Sequence, residues 1–584
     1  MGVCFSHSRR RHNEPVECTD LEFPPDAFAD KMTEPPGDID VEMEQHTAGT
    51  AAKATPNAPA LTQQGSVDLS DALVHAKEIG PEGSMSDPEP AALKFVSLDP
   101  LYKLLTQSDQ MPSPVRLLNS RWLFARADAL AAAKTDEERS NLALPCRQDL
   151  ERDHPEAFLS LAQARKLVTC SPQYGFKYGF TGAVAIGAIS HAWLHPSHPD
   201  RDGAQLLRIV AVLRAAQRGE LPRQQRGWDK DNPRRHGSQK LPAKLGLFYD
   251  WCSIYQARKA ADGTVLTQRT PREQASFDLA LHSMQVFYAH QKLFALLMRT
   301  LPDGCEAVPY VDRGWPTCEW AWTMVAKPNN IGCWPMILDS GNETLEARRQ
   351  APMHPSRLAA LLETKTFTSP KADRPLVSKL YDETLRAVLA ETKKLSFGEC
   401  GWGDADIARF AEVLPMCTRC DKINLGRNAF GDDGVQALCA AFGDGAVPRL
   451  RVLALNNNRI GDEGVAALAD VALRNSKAVP VLKHVHTIYL MNNSVGDAGC
   501  RALAAALDAR ALPEVREIWL GANPASGGSR TMCKFWEVGN CTRGDECAYH
   551  HGPPPPKSEA WCVLEESCQA REPPIELKLT GGAW

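Results

Sequence analysis

No apolar run in these 584 residues approaches the roughly 20 that a membrane-spanning helix needs, so no segment is expected to cross a bilayer. Also missing are a glycine-rich phosphate loop, a nucleophile elbow and an HExxH pair, which lowers the expectation of an enzyme. Charge of neither sign dominates: a net −5 over this length implies no global surface for a polyanion. The 18 cysteines are scattered rather than framed, and no secretory leader pattern precedes them. Free thiols in a reducing, cytoplasmic compartment are expected, not a disulfide scaffold. What is present is ordinary for a soluble folded protein, with 43% hydrophobic and 7% aromatic residues. The length calls for about two to four domains rather than one core.

The first residues, Met1-Gly2-Val3-Cys4-Phe5-Ser6, fit the M-G-x-x-x-[ST] pattern in which Gly2 accepts myristate. One acyl chain holds a protein only marginally, and two further signals stand beside it: Cys4 for palmitate and Arg9-Arg10-Arg11 for anionic lipid. Residues 1–12 are therefore read as an anchor to the cytoplasmic face of a membrane. Residues 13–94 are rich in Pro, Asp, Glu, Thr, Ala and Ser without an apolar period, the composition of a disordered linker.

From about residue 395 the chain repeats. Phe397, Leu425, Leu455, Leu490 and Leu520 each end a short apolar strand pattern, and three residues later come Cys400, Asn428, Asn458, Asn493 and Asn523. Six residues after the first four anchors stands a Gly-Asp pair: Gly403-Asp404, Gly431-Asp432, Gly461-Asp462 and Gly496-Asp497. Each pair opens an Ala/Leu-rich helical pattern, with the Asp expected to cap that helix's first turn. Strand, Asn turn and outer helix in units of this size are the signature of leucine-rich repeats, expected over 395–525. The spacing is similar to the long, ribonuclease-inhibitor-like class. The array's strand face is expected to meet a protein partner, with outward positions Lys422 and Asn424, Arg451 and Ala454, His486 and Tyr489, Glu517 and Trp519. Tyr489 and Trp519 are its candidate anchors.

Residues 95–390 read as α/β. Apolar runs at Thr181–Ile189 and Leu245–Tyr249 alternate with helical patterns at Gln205–Gln217 and Glu273–Tyr288, while Lys292–Met298 fits a third strand or a helix continuation. This order predicts a parallel sheet with crossover helices. His191, Trp193, Asp250 and Cys252 fall at strand carboxyl ends, where function gathers in such sheets. The fragments ISHAWL, LGLFYDWCSIYQ, RTPREQASFDLALHSMQVFY and RGWPTCEWAW resemble the fungal heterokaryon-incompatibility (HET) domain, itself similar to TIR domains. The resemblance implies a TIR-like fold and, because some TIR relatives cleave NAD⁺ with a glutamate, candidate catalytic residues. These are Glu319, with Arg313 as a phosphate or carboxylate partner and Asp250 on the same edge. The alternative is that Trp315 and Trp320 are core and that Arg313–Glu319 is an ion pair holding the fold.

Cys533, Cys541, Cys547 and His551 stand at C-x7-C-x5-C-x3-H. Three thiolates and one imidazole complete a tetrahedral Zn²⁺ shell with no open position, and so predict a structural rather than catalytic metal. Gly539-Asn540 and Gly544-Asp545 supply turns, and the metal itself must provide the folding free energy of so small a module. The segment CKFWEVGNCTRGDECAYHH resembles a CCCH zinc finger, a family whose members mostly bind single-stranded RNA. Phe535, Trp536 and Tyr549 are the candidate base-stacking platforms. Against nucleic acid, Arg530, Lys534 and Arg543 are matched by Glu537, Asp545 and Glu546. Residues 530–552 are thus a finger and 553–584 a tail, with Cys562 and Cys568 unassigned. The chain is expected to be a multidomain α/β interaction protein that binds zinc and contacts protein through its repeats, with a finger that either binds RNA or is a structural or protein-binding module. An NAD-cleaving effector regulated by the repeats is the alternative.

Overall fold

A computed structural model describes residues 94–170, 182–220, 240–259, 265–327, 334–341, 349–474, 482–526 and 558–578. The anchor and linker readings, with Gly2 and Cys4, lie outside the described residues. No helix among the described residues is long and apolar enough to cross a membrane.

The expected parallel sheet is present. Its central strand, Ile186–His191, is buried along its whole length and pairs in parallel with Gly246–Phe248 on one side and Phe294–Met298 on the other. Ile337–Asp339 extends the sheet in parallel, and Leu118–Asn119 closes the far edge antiparallel to Gly246–Phe248. Gly187 is required by packing: a Cβ there would fall 2.1 Å from the Phe294 ring. Of the two possibilities for 292–298, the strand is the one formed, because five successive buried apolar residues suit a central strand covered on both faces. The expected helix over 273–288 divides into Pro271–Leu281 and Gln285–Ala289, with a turn at His282-Ser283-Met284. Its start is fixed by a reciprocal cap in which Thr270 Oγ1 accepts from the Glu273 N–H and Glu273 accepts from the Thr270 N–H. Glu273, one of the residues carrying the family resemblance, is thus a helix cap.

Helix Pro370–Glu391 leads directly into the solenoid, whose six parallel strands are Lys394–Ser396, Lys422–Asn424, Val452–Ala454, Thr487–Tyr489, Glu517–Trp519 and Glu576–Lys578. The sequence pattern marks the first five. The sixth, with helix Glu559–Gln569, lies in the segment expected to be a tail, and it pairs in register with Glu517–Trp519. Ala560, Trp561, Leu564, Cys568 and Ile575 are buried there, so this segment covers the apolar end of the array as terminal repeats must. Cys568 is accordingly a core residue, while Cys562 on the same helix is exposed.

Two ladders hold the repeats together. Asn493 Oδ1 accepts from the backbone N–H groups of Asn458 and Ile460, both at 3.1 Å, while its Nδ2 donates to the carbonyls of Leu490 at 2.9 Å and Leu455 at 3.0 Å. Asn428 and Asn523 repeat this pattern, and Asn458 repeats it with a single N–H on its Oδ1. The second ladder differs from expectation. Three of the four Asp cap the next repeat's helix rather than their own: Asp432 Oδ1 accepts from Gly461 N at 2.7 Å and Gly464 N at 2.9 Å, and Asp404 and Asp462 do likewise. The reason is position, since each Asp is the first helical residue and its carboxylate reaches the neighbouring helix's amino end. A Cβ at Gly464 would meet Asp432 Oδ1 at 2.6 Å, so the glycine makes room for the carboxylate.

The ladder predicts a specific weakness. Asn493→Ala leaves four buried backbone groups without these partners, at roughly 1–3 kcal/mol each. Chemical denaturation is expected to show a loss of at least about 3 kcal/mol, and a loss under about 1 kcal/mol would refute the ladder's importance.

Candidate functional site

The proposed zinc ligands Cys533, Cys541, Cys547 and His551, and the aromatics Phe535, Trp536 and Tyr549, lie outside the described residues. What the structure describes is their mounting. After strand Glu517–Trp519 the chain makes its Asn523 turn, and Ser526 Oγ donates to the Asn523 carbonyl at 2.7 Å. The chain is described again at Ser558, whose N–H donates to the Ala525 carbonyl at 3.3 Å and whose Oγ accepts from Trp561 N at 3.1 Å. The segment bearing the ligands therefore leaves and re-enters the solenoid at one point, between a strand and its helix. Ser558 caps this last helix itself, in the place where the other repeats use a neighbour's Asp.

At the carboxyl end of the central strand of the α/β domain, Ser190 Oγ donates to Glu319 Oε2 at 2.5 Å and lies 2.6 Å from Tyr310 Oη. Glu319, on helix Gly314–Ala326, is only 5% exposed. Burial pushes its carboxyl up to about 8, against the opposing pull of the Ser190 hydrogen bond. Next to it, His191 Nε2 meets Asp250 Oδ1 at 2.8 Å, and Trp193 Nε1 donates to Asp250 Oδ2 at 3.0 Å. Burial opposes ionisation of both members of the His191–Asp250 pair. Their mutual attraction outweighs it, so His191 is raised and Asp250 lowered.

Glu319 and Asp250 are thus brought into one electrostatic neighbourhood, Glu319 as a neutral acid and Asp250 as an anion. Arg313 has a different task. Its Nε donates to the Val308 carbonyl at 3.1 Å and its Nη2 to the Trp193 carbonyl at 2.5 Å, so these guanidinium donors hold backbone rather than a ligand's phosphate. The expected Arg313–Glu319 ion pair is replaced by these contacts. Trp315 packs partly buried against the core, as does Trp320. Tyr310 was not foreseen as a member of the cluster. It falls outside any periodic pattern, and only the fold brings it 2.6 Å from a residue 120 positions earlier.

The strand face of the solenoid also differs in one detail. The outward pairs are Lys422 and Asn424, Val452 and Ala454, Thr487 and Tyr489, Glu517 and Trp519, because Ile423, Leu453, Ile488 and Ile518 point to the core. Arg451 and His486, expected as outward strand residues, precede their strands by one position. Tyr489 and Trp519 stack with ring centroids 5.5 Å apart, and the Lys578 ammonium lies 4.7 Å over the Trp519 ring.

The buried acid has a measurable signature. Between the usual glutamate value near 4.5 and about 8, folded Glu319 keeps a proton that the unfolded chain releases. Stability from this group is therefore fully present below about 4.5 and lost as pH rises through 8. Buried His290, pushed down to about 4, acts in the opposite sense, so the total curve mixes the two. Glu319→Gln is expected to lose less stability than wild type between pH 5 and 8 in denaturant midpoints. Parallel curves for the two proteins would refute the buried neutral acid.

Two known families match parts of the chain. The zinc finger family described as "C-x8-C-x5-C-x3-H type (and similar)" matches residues 529–553, where this chain has one residue fewer between the first two cysteines. The leucine-rich repeat family matches residues 422–439, 449–469 and 481–504, three consecutive units within the six-stranded array. The chain carries a CCCH zinc finger and leucine-rich repeats, with the finger set inside the last turn of the solenoid.

Proposed function

We propose that this is a zinc-dependent interaction protein in which the repeats bind a protein partner and the CCCH finger binds single-stranded RNA. The observation that carries this reading is the mounting of the finger. Its segment begins after Ser526 and ends before Ser558, whose N–H donates to the carbonyl of Ala525 beside Ser526, and the solenoid continues beyond it. A module inserted this way extends an existing binding scaffold. The four donors Cys533, Cys541, Cys547 and His551 suit Zn²⁺ by softness and number, and would hold it in a closed shell that organises the loop rather than catalyses a reaction. Phe535, Trp536 and Tyr549 supply the flat apolar surfaces on which unpaired bases stack. The near-neutral charge of the segment argues for modest affinity with a shallow salt dependence.

The parallel sheet with a single antiparallel edge strand is consistent with a TIR/HET-like reading of the α/β domain. In this proposal that domain is a scaffold, with the Ser190–Tyr310–Glu319 network fixing its helix against its central strand. The N-terminal pattern at Gly2 and Cys4 adds recruitment to a membrane surface.

Full-length protein is expected to contain one zinc per chain by elemental analysis, and Cys541→Ser is expected to lose it together with ultraviolet crosslinking to a randomised single-stranded RNA pool. Zinc retained at wild-type stoichiometry would refute the ligand set, and wild-type protein that crosslinks no RNA would refute the RNA reading. In lysed cells, Gly2→Ala is expected to shift the protein from the membrane pellet to the supernatant. An unchanged partition would remove the anchor.

A further inference from the structure

The strand face of the solenoid is not uniform. In its first repeats the row Ser396, Asn424, Ala454 is a low floor of small side chains, half-buried at Ser396 and Asn424 and fully buried at Ala454. At one margin of that floor stand Lys394 and Lys422, with Lys393, Asp421 and Arg451 one position before their strands. Lys393, Lys394 and Arg451 are exposed and Lys422 is half-buried. In the next repeats the same row rises into a wall of stacked rings, Tyr489 on Trp519, closed behind by Lys578. The acids at that end are engaged locally. Glu517 accepts from Trp519 Nε1 at 3.1 Å and pairs with Lys578 at 3.2 Å, Glu576 pairs with Lys578 at 2.7 Å, and Glu514 bridges His484 and His486 at 3.0 and 3.1 Å.

We propose that this face binds an acidic protein segment carrying one large apolar or aromatic anchor, with its carboxylates over the Lys394–Lys422 margin and its anchor against Tyr489. The inference rests on the reading that the repeats contact a protein, and it names the chemistry of that partner. Adjacent strands are about 4.8 Å apart. The Lys422 row and the Tyr489 row, two strands apart, are therefore separated by about 10 Å, and the Lys394 row by about 14 Å. An extended segment covers that distance in about three to four residues. The partner motif is thus a bulky apolar residue with carboxylates about three to five positions away. Single-stranded RNA, the other polyanion available, fits less well. A base stacked at the aromatic wall would bring its phosphates beside Glu514, Glu517 and Glu576, whereas a peptide keeps its charge at one end and its apolar group at the other.

The test is selection of a randomised peptide library on zinc-loaded full-length protein, with the enriched sequences read out and their affinities measured by fluorescence anisotropy. Enrichment of an acidic cluster three to five residues from an aromatic or large aliphatic residue is expected. Lys422→Glu should weaken the enriched peptide by about tenfold or more, and a peptide with lysines in place of its acids should bind that variant better than wild type. Tyr489→Ala should also weaken binding by about tenfold, while Tyr489→Phe keeps it. Unchanged circular dichroism and zinc content guard against misfolding of the variants. Peptides that lose binding in Tyr489→Ala but lack acids would overturn the inference and leave the protein-binding reading standing. Competition of the selected peptides by single-stranded RNA, lost in Lys422→Glu, would assign the face to nucleic acid instead. Failure to enrich any sequence would overturn both readings of the repeats, without touching the zinc finger.

Discussion

The asparagine ladder is the constraint on which the rest of the molecule depends. Each rung sits where the chain must turn from strand to helix, and four backbone groups at that turn have no partner from regular structure. Asn428, Asn493 and Asn523 each supply all four, three of them to the preceding repeat, and Asn458 supplies three, two of them to the preceding repeat. The ladder also holds an unfavourable backbone in place. The residue before each rung is left-handed: Glu399, Arg427, Asn457, Asn492 and Ala522 have φ between 54° and 62°. Asn tolerates this region, but Glu, Arg and Ala do not favour it, so the cost is met by the hydrogen bonds that fix the next residue. In the first repeat Cys400 occupies the rung position and donates its N–H to Asn428 Oδ1, which fits a unit whose other neighbour is the α/β domain.

That junction uses a buried cation rather than an amide. The carbonyls of Met324 and Val325 end helix Gly314–Ala326 and would be left without partners by the helix itself. Arg349 donates to both, reaches the Ser396 carbonyl of the first repeat and lays its guanidinium 3.9 Å over the Phe397 ring. Its own carbonyl accepts from Trp402 Nε1 at 2.8 Å. Burial lowers Arg349 only to about 10, so it stays charged at neutral pH, and the charge strengthens every one of these bonds. The helix that carries Glu319 is thus tied at one end to the strand through Ser190 and at the other to the solenoid through Arg349.

Features with a local chemical cause were legible in the sequence. The leucine, asparagine and Gly-Asp spacings repeat because each rung and each cap must meet its equivalent in the next unit, and a spacing written five times is visible without coordinates. The parallel sheet was legible because strands buried on both faces read as continuous apolar runs. Features made by long-range packing were hidden. The one-residue error that put Arg451 and His486 on the strand face arose because period-two alternation over three residues does not fix its own phase. The Asp residues were assigned to their own helices because a sequence places a carboxylate along the chain but not across it. Helix Glu559–Gln569 and strand Glu576–Lys578 were missed because their repeat is interrupted: the helix begins 36 residues after Asn523, against four after Asn493. The Glu319 cluster was half visible, with two acids named and Ser190 and Tyr310 unconnected to them.

The same interruption determines what the finger can do. A module attached at one end samples a wide volume, but this one is tethered at both ends to a single point on the solenoid. The first ligand, Cys533, follows Ser526 by seven residues, and the last, His551, precedes Ser558 by seven. Neither can stray beyond about 24 Å from the stem. Without metal the segment is a closed loop whose ordering cost grows only slowly with length, so the solenoid tolerates it and the last repeat still docks. With metal, the four ligands would shorten the free loop to its two linkers. Because Trp519 lies seven residues before Ser526, anything bound at that wall is also within reach of the finger. Two binding modules joined this way raise each other's effective concentration without touching. Placing the finger inside the last repeat, rather than after it, makes that proximity a property of the fold.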